Sequence, residues 1–228
     1  MKVTMIAHTP NPDIVSAAAA KLTHSKTAPD ELLNDEPEKM KKLLKSVVGM
    51  GHTSVIEHAY FTFSIEGISR ACSHQLVRHR MASYSQQSQR YVSMDEPQYV
   101  IPPKIKANHK LKNAYDEAMH NIWGAYNALM KIGIPAEDAR YILPNAAKTN
   151  IIMSMDGRAL MNFFELRCCL HAQWEIRELA SQMLHAVKEV APAIFENAGP
   201  MCKTRGECME KAKDCPNYPK AESRAKGD

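Results

Sequence analysis

The alternation and spacing of apolar residues divide the chain into elements before any single residue is considered. Lys2–His8 alternates around Val3, Met5 and Ile6 and reads as a short opening strand. Residues 13–24 follow as a helix capped by Asn11 or Asp13, and a polar linker runs from Ser25 to Asp35. A second helix over 36–50 carries Met40, Leu43, Leu44 and Val47 at helical spacing, with Gly51 just past its end. Ala59–Ile65 alternates Tyr60, Thr62 and Ser64 against Phe61, Phe63 and Ile65. One polar face makes that a half-buried strand, antiparallel by preference.

Ser69–Val77 reads as a helix delivering Gln75 and Arg78 to its end, and Gln98–Ile101 as a short strand stopped by Pro102 and Pro103. A long amphipathic helix is predicted over Lys104–Lys131, its stripe formed by Leu111, Tyr115, Met119, Ile122, Tyr126 and Met130. Gly133 and Pro135 break it, and Ala136–Tyr141 makes a helical turn carrying Arg140. Thr149–Ser154 is a strand, after which Asp156 can N-cap a helix beginning at Gly157. An unbroken helix from Gly157 to Val190 would span roughly 50 Å, which predicts a break near Cys168–Ala172. The chain after Ala191, rich in Pro and Gly, reads as loop, with its last ten residues disordered.

With 228 residues the chain has room for one sizeable domain, taken as residues 1–200, followed by a cysteine-containing tail over 201–228. A net charge of +4 and a pI near 8.7 suit acidic small molecules. A dedicated nucleic-acid binder would usually be more basic. No apolar run reaches the length a membrane helix needs, and Met1–His8 leads straight into charged sequence rather than a secretory leader. Six cysteines in a chain of this length are no disulfide framework, so a reducing cytoplasm is expected.

Against that background one stretch stands out. Arg78–Tyr91 packs three arginines, a histidine and two tyrosines among serines and glutamines, without one carboxylate. Arg forks bind phosphate oxygens through paired charge-assisted bonds, and hydroxyl and amide side chains read phosphate, ribose and base edges. The composition asks for an anionic, nucleotide-like ligand, although a basic solvated turn or a nucleic-acid backbone contact has the same composition. A second informative segment is Gly157–Trp174. There Leu160, Phe163, Leu170 and Trp174 should face the core, and Arg167 falls on the same stripe. A buried Arg needs a carboxylate such as Glu165 or Glu175, or an anionic ligand.

The order of the residues carries a resemblance. Arg78-His79-Arg80, seven residues, then Ser88, with Arg90 and Tyr91 following, resembles the signature of the flavin-dependent (alternative) thymidylate synthases. Gly51-His52-Thr53-Ser54 with Glu57-His58 and the Phe61-Thr62-Phe63 strand is similar to that family's earlier block, and Arg158–Arg177 to its C-terminal block. The resemblance implies an α+β fold, a mostly antiparallel sheet packed with helices. It implies methylation of dUMP to dTMP, with methylenetetrahydrofolate as carbon donor and NADPH-reduced FAD as hydride source.

By the same match Gln75, Arg78, Gln86, Gln87, Ser88, Arg90, Arg140 and Arg167 hold dUMP, and Arg167 and His52 serve the chemistry. Ser54, Glu57, Arg78, His79, Arg80, Met81, Asp156, Arg158, Asn162 and His171 lie on the FAD side. Family members are homotetramers with active sites between subunits, and no nucleic acid or membrane partner is implied. Two positions depart from the family pattern: Gln86 stands where many members are acidic, and Ser85 where others have an amide. The rival expectations are a non-catalytic RNA- or nucleotide-binding protein without flavin, using Arg78, Arg80 and Arg90 for phosphates, and a structural oligomer that kept the fold and lost the chemistry. Outside the resemblance, Cys202, Cys208 and Cys215 with Cys168 or Cys169 could form a four-thiolate zinc site stapling the tail.

Overall fold

The computed structural model describes residues 1–219, and most of its strands and helices have a local cause in the sequence. The expected disorder of residues 220–228 lies outside the described residues. Strand β1 (Lys2–His8) is followed by helix α1 (Pro12–Leu22) and helix α2 (Pro37–Gly49). A 3₁₀ turn over Thr53–His58 leads into strand β2 (Tyr60–Ser69), helix α3 (Arg70–Leu76) and strand β3 (Ser83–Gln86). Helices α4 (Pro103–Lys106), α5 (His109–Lys131) and α6 (Ala136–Ala139) precede strand β4 (Lys148–Asp156). Helices α7 (Gly157–Arg167), α8 (Trp174–Val190), α9 (Pro192–Phe195) and α10 (Met201–Thr204) complete the order. Among the described residues no helix is long and apolar enough to cross a membrane.

The four strands form one antiparallel sheet in the order β1-β2-β4-β3. By Cα packing the chain divides into two compact units, one of Met1–Lys2, Ile65–Arg78 and Tyr84–Ile152, the other of Val3–Ser64, His79–Ser83 and the chain from Met153 on. In the first unit the register sets Lys2 beside Glu66, with Nζ 3.2 Å from the carboxylate, and Gly67 N donates to Asn150 Oδ1 at 3.0 Å. Its core gathers Met119, Trp123 and Ala147, against which Met94, Tyr99 and Tyr115 pack. Trp123 Nε1 donates to Met94 O at 2.9 Å, which ties the segment after the basic stretch to α5.

In the second unit Tyr60 N donates to Thr9 Oγ1 (2.9 Å) and Thr62 pairs with Ser154 (2.9 Å). Phe61, Phe163, Phe164 and Phe195 are fully buried, and Phe195 meets Phe61 and Phe164 edge to face at 5.4 and 5.9 Å. The alternation in β2 is realised as expected, with Phe61, Phe63 and Ile65 inward. Asp13 is buried in α1, and its two carboxylate oxygens accept from Ala193 N (3.0 Å) and Ile194 N (3.1 Å) at the start of α9. Burial pushes its carboxyl above the usual range despite those two bonds.

Several expectations are corrected. Asn11 holds the cap position of α1 by its backbone, in the left-handed region at φ 47°, but neither its side chain nor that of Asp13 caps the helix. Gln98–Ile101 is no strand: it makes a single antiparallel bridge, Tyr99 to Ala147. The long helix divides at Ala107–Asn108, because Asn108 leaves the helix to cap α5, accepting from Leu111 N at 3.2 Å. Leu111 is 54% exposed, and Trp123 rather than Leu111 fills the core stripe. The region after Ala191 is not all loop but holds α9 and α10. The break expected near 168–172 is present between α7 and α8, and it turns Leu170 outward instead of into the core.

Candidate active site

In the first unit the residues expected on the nucleotide side cluster around α3, β3 and α6. Ser69 caps α3 by accepting from Cys72 N at 3.0 Å, and the helix carries Gln75 to its last turn with exposed Arg78 just beyond. Strand β3 then sets Gln86 inward, where its amide donates to Ser73 Oγ (3.2 Å) and Thr149 Oγ1 (3.1 Å). Gln87 pairs with Asn150 through backbone and side chain, at 2.9 and 3.3 Å. Ser88 Oγ accepts from Arg90 N at 3.2 Å. Arg90 reaches Glu137 Oε2 through Nε (3.1 Å) and Nη2 (2.9 Å), with both side chains about half exposed, and its guanidinium lies 5.4 Å from the Tyr91 ring. Arg140 donates to the Glu137 carbonyl at 3.1 Å.

Arg70 joins this group unannounced by the sequence. Burial first, and then the charge of Arg140, lowers its guanidinium from the ordinary value, so two cations stand close together. Glu137, Ser73 and Thr149 were likewise not singled out. Their signal is one of position: Glu137 lies in α6 just before Arg140, and Ser73 in α3 and Thr149 in β4 hold Gln86.

In the second unit residues expected on the flavin side gather around α7. Asp156 caps the helix, accepting from Ala159 N at 2.8 Å, which is a structural use for a side chain expected on the cofactor. The same turn is tight: Gly157 N donates to Ala59 O at 2.8 Å, and a Cβ on Gly157 would lie 2.7 Å from the Ile56 carbonyl oxygen. Arg158 Nη1 meets Glu57 Oε1 at 2.6 Å, so two residues from separate sequence blocks are brought together. His52, Ser54, Arg80, Met81, Asn162 and His171 are all exposed.

Arg167 ends α7 half-buried. Its Nε–H donates to His79 Nε2 at 2.9 Å, while His79 packs edge to face on Phe163 at 4.9 Å. Glu165 instead accepts from Arg205, at 2.8 and 2.6 Å, and from Thr204. The signal for His79 lay in the Arg-His-Arg motif, but only the tertiary fold could join it to α7.

Burial, followed by the charge of Arg167, lowers the His79 pKa to about 4. A neutral ring is what the contact requires, because only an unprotonated Nε2 can accept from Arg167. The unfolded chain has an ordinary imidazole, so between about 6.5 and about 4 it binds a proton that the folded chain refuses. Stability should therefore fall as the pH drops through that window and gain nothing from His79 above it. Urea denaturation across a pH series checks this: a His79→Gln variant should show a shallower acid slope, and an unchanged slope would refute the assignment.

The cysteines form no disulfide among the described residues. Cys72 is fully buried in α3, and burial pushes the Cys168 thiol up to about 11. The Cys202 thiol is raised by burial first, and then by its neighbours Cys169, Cys215 and Cys208.

The model of the family described as thymidylate synthase complementing protein matches residues 4–193. The flavin-dependent thymidylate synthase of Geobacter sulfurreducens is 51% identical over 94% of both chains, and that of Clostridium tetani 47% identical over 94% of this chain and 93% of its own. The crystal structure of the UMP/dUMP methylase PolB from Streptomyces cacaoi, bound with 5-Br dUMP, superposes with a TM-score of 0.76. It covers 86% of this chain and 93% of its own at 23% identity, a likeness of fold. The arginine-rich stretch, the flanking blocks and the sheet thus have one common source, and the chain belongs to the thymidylate synthase complementing protein family.

Proposed function

We propose that this chain is a flavin-dependent thymidylate synthase, a methyltransferase that makes dTMP from dUMP. Methylenetetrahydrofolate supplies the carbon, and FAD is reduced by NADPH. The observation that carries the reading is identity of 51% and 47% to enzymes of that name across more than nine-tenths of each chain.

The residues fit a flavin dinucleotide. Arg80 is exposed and forms no ion pair among the described residues, which suits a pyrophosphate, and Ser54 and Asn162 offer neutral hydrogen-bonding groups. Glu57 and Arg158 hold one another in place beside them. FAD supplies, when bound and reduced, the two electrons that the new methyl group requires.

The rest of the work falls to the chain itself. Ser88, Arg90 and Arg140 bind the nucleotide phosphate, and Gln75, Arg78, Gln86 and Gln87 fix the deoxyuridine. Arg167, oriented by His79, favours negative charge on the uracil carbonyl and so makes the ring carbon that accepts the methylene electron-rich. His52 serves the folate or nicotinamide face. Attack on uracil by a cysteine has no support: Cys72 is fully buried, and the Cys168 thiol is protonated at neutral pH. Proximity and fixed charge are the protein's contribution.

Glu137 bears on the same reading, because Arg90 must exchange that carboxylate for the substrate phosphate. An exposed pair of this kind contributes ~0.2–1 kcal/mol. Glu137→Gln should therefore lower the KM for dUMP by up to about fivefold with kcat little changed. An unchanged KM would mean that the pair does not compete with the nucleotide.

The enzyme works as a homotetramer in the cytoplasm, with each active site completed between copies and residues 1–200 as its catalytic domain. Family resemblance and the six cysteines without a disulfide support this. Light scattering on the purified protein should give a mass of four chains. The decisive test is spectroscopic. Protein reconstituted with FAD should bleach with NADPH under anaerobic conditions and regain its yellow colour, with dTMP formed, only when dUMP and methylenetetrahydrofolate are both added. Failure to take up FAD, or bleaching without dTMP, would overturn the reading.

A further inference from the structure

Four of the six cysteines converge on one cavity, and none of the four has a place in the synthase chemistry, although His171 of the flavin side also lines it. Cys169 stands in the break between α7 and α8, Cys202 in α10, and Cys208 and Cys215 in the chain beyond. All four are half-buried and line a cavity of about 50 Å³; Cys168 is not among its lining residues.

What holds this part of the chain is otherwise slight. From Arg205 to Pro219 there is no helix or strand, and Pro219 is the only buried residue. At its upstream end Arg205 and Thr204 are fastened to Glu165. Beyond that point the half-buried positions include Cys208 and Cys215, where apolar side chains would be expected in a segment held by burial. A segment of this kind needs a staple.

We propose that these four cysteines bind one zinc ion as a structural tetrathiolate centre that fastens residues 205–219 to the α7–α8 break. Zinc takes four thiolates tetrahedrally at about 2.3 Å, and the cavity has room for one ion. No three described His, Cys, Asp or Glu side chains already surround a metal position. Binding therefore requires the four sulfurs to draw closer together than they stand here. Each thiol gives up its proton on binding, four in all, leaving a centre of charge −2. Glu165, Glu207 and Glu210 line the same cavity, Glu165 already paired with Arg205, and Lys203, Lys211 and Lys213 lie nearby in the sequence. The inference is independent of the assigned activity, since none of the four cysteines has a part in it.

The test uses the full-length protein, reduced, dialysed against zinc chloride and then freed of excess metal. Elemental analysis should find about one zinc per chain, and a thiol-specific mercurial should release it as four thiols are modified. Cobalt in place of zinc should give tetrahedral thiolate bands at wavelengths beyond the flavin absorption. Metal removal should open the chain near Lys211 and Lys213 to trypsin. The single variants Cys208→Ser and Cys215→Ser should each bind zinc at well under one equivalent. The chelator and trypsin experiments on the unaltered chain keep the test independent of how those variants fold. Zinc well below one per chain would overturn the proposal, as would a full equivalent retained by both variants. Disulfides among these cysteines in protein isolated under mild reduction would overturn it too, by giving the thiols another use.

Discussion

Replacing Arg167 by alanine is expected to cut the rate of dTMP formation by roughly 10²–10³-fold, while the protein stays folded and keeps its flavin. That magnitude is what removal of one preorganised charge-stabilising donor costs. The side chain is set up for such a role. Its Nε–H is committed to His79 at 2.9 Å, which fixes the plane of the fork and leaves the two terminal amino groups for the substrate. Because the charge on uracil develops during reaction, the loss should fall on kcat more than on KM. Arg167→Lys should recover only part of the rate, since an ammonium keeps the charge but has no fork for His79 to orient. Steady-state kinetics with the flavin spectrum as a folding control decide the matter. A wild-type kcat in the alanine variant would remove Arg167 from the chemistry.

The second large effect is expected from Gly157→Ala. An added Cβ would sit 2.7 Å from the carbonyl oxygen of Ile56, a backbone atom that cannot rotate out of the way. The hydrogen bond from Gly157 N to Ala59 O holds the two segments together from the other side. Either α7 or the turn over Thr53–His58 must move, at a cost of about 1–3 kcal/mol for overpacking. For a chain of this size that corresponds to a fall in Tm of roughly 2–12 °C. Those two segments carry Arg158 and Glu57, so FAD affinity should fall with stability. Calorimetry and flavin titration on the same sample test both parts. An unchanged Tm would show that the turn gives way freely.

Local chemistry was well written into the chain, and tertiary choices were not. Asp156 could be read as the cap of α7 because an N-cap needs only its own turn, and the Phe-Thr-Phe alternation of β2 needs only the pleat. The division of the long helix at Asn108 was equally local, yet apolar spacing continued across it and hid the cap. Gln98–Ile101 has strand composition, but one bridge to Ala147 is all its neighbour offers. Strand β3 lies in a polar stretch without alternation and exists because β4 presents an edge to it.

The site divides the same way. The motifs point to residue types, but not to the match of Arg167 with an imidazole while Glu165 goes to Arg205. The choice depends on which elements meet, and a helix-period pattern reports only which face is apolar. Arg70 and Glu137 were invisible for a related reason. A charge in an unremarked helix gains meaning only from the charges that folding brings beside it.

Asp13 has a consequence for how the protein is made. Its carboxylate is completed by amides 180 and 181 residues further along the chain. At roughly 5–20 residues per second, translation needs about 10–40 s to deliver them. Throughout that interval the nascent first helix carries a carboxylate that cannot be buried without its partners. The α1 region is thus held open until α9 has left the ribosome, which commits this unit to folding late and as a whole. A stalled or truncated chain ending before Ala193 would leave the α1 face of Ala17, Ala18 and Ala20 open for chaperones to find.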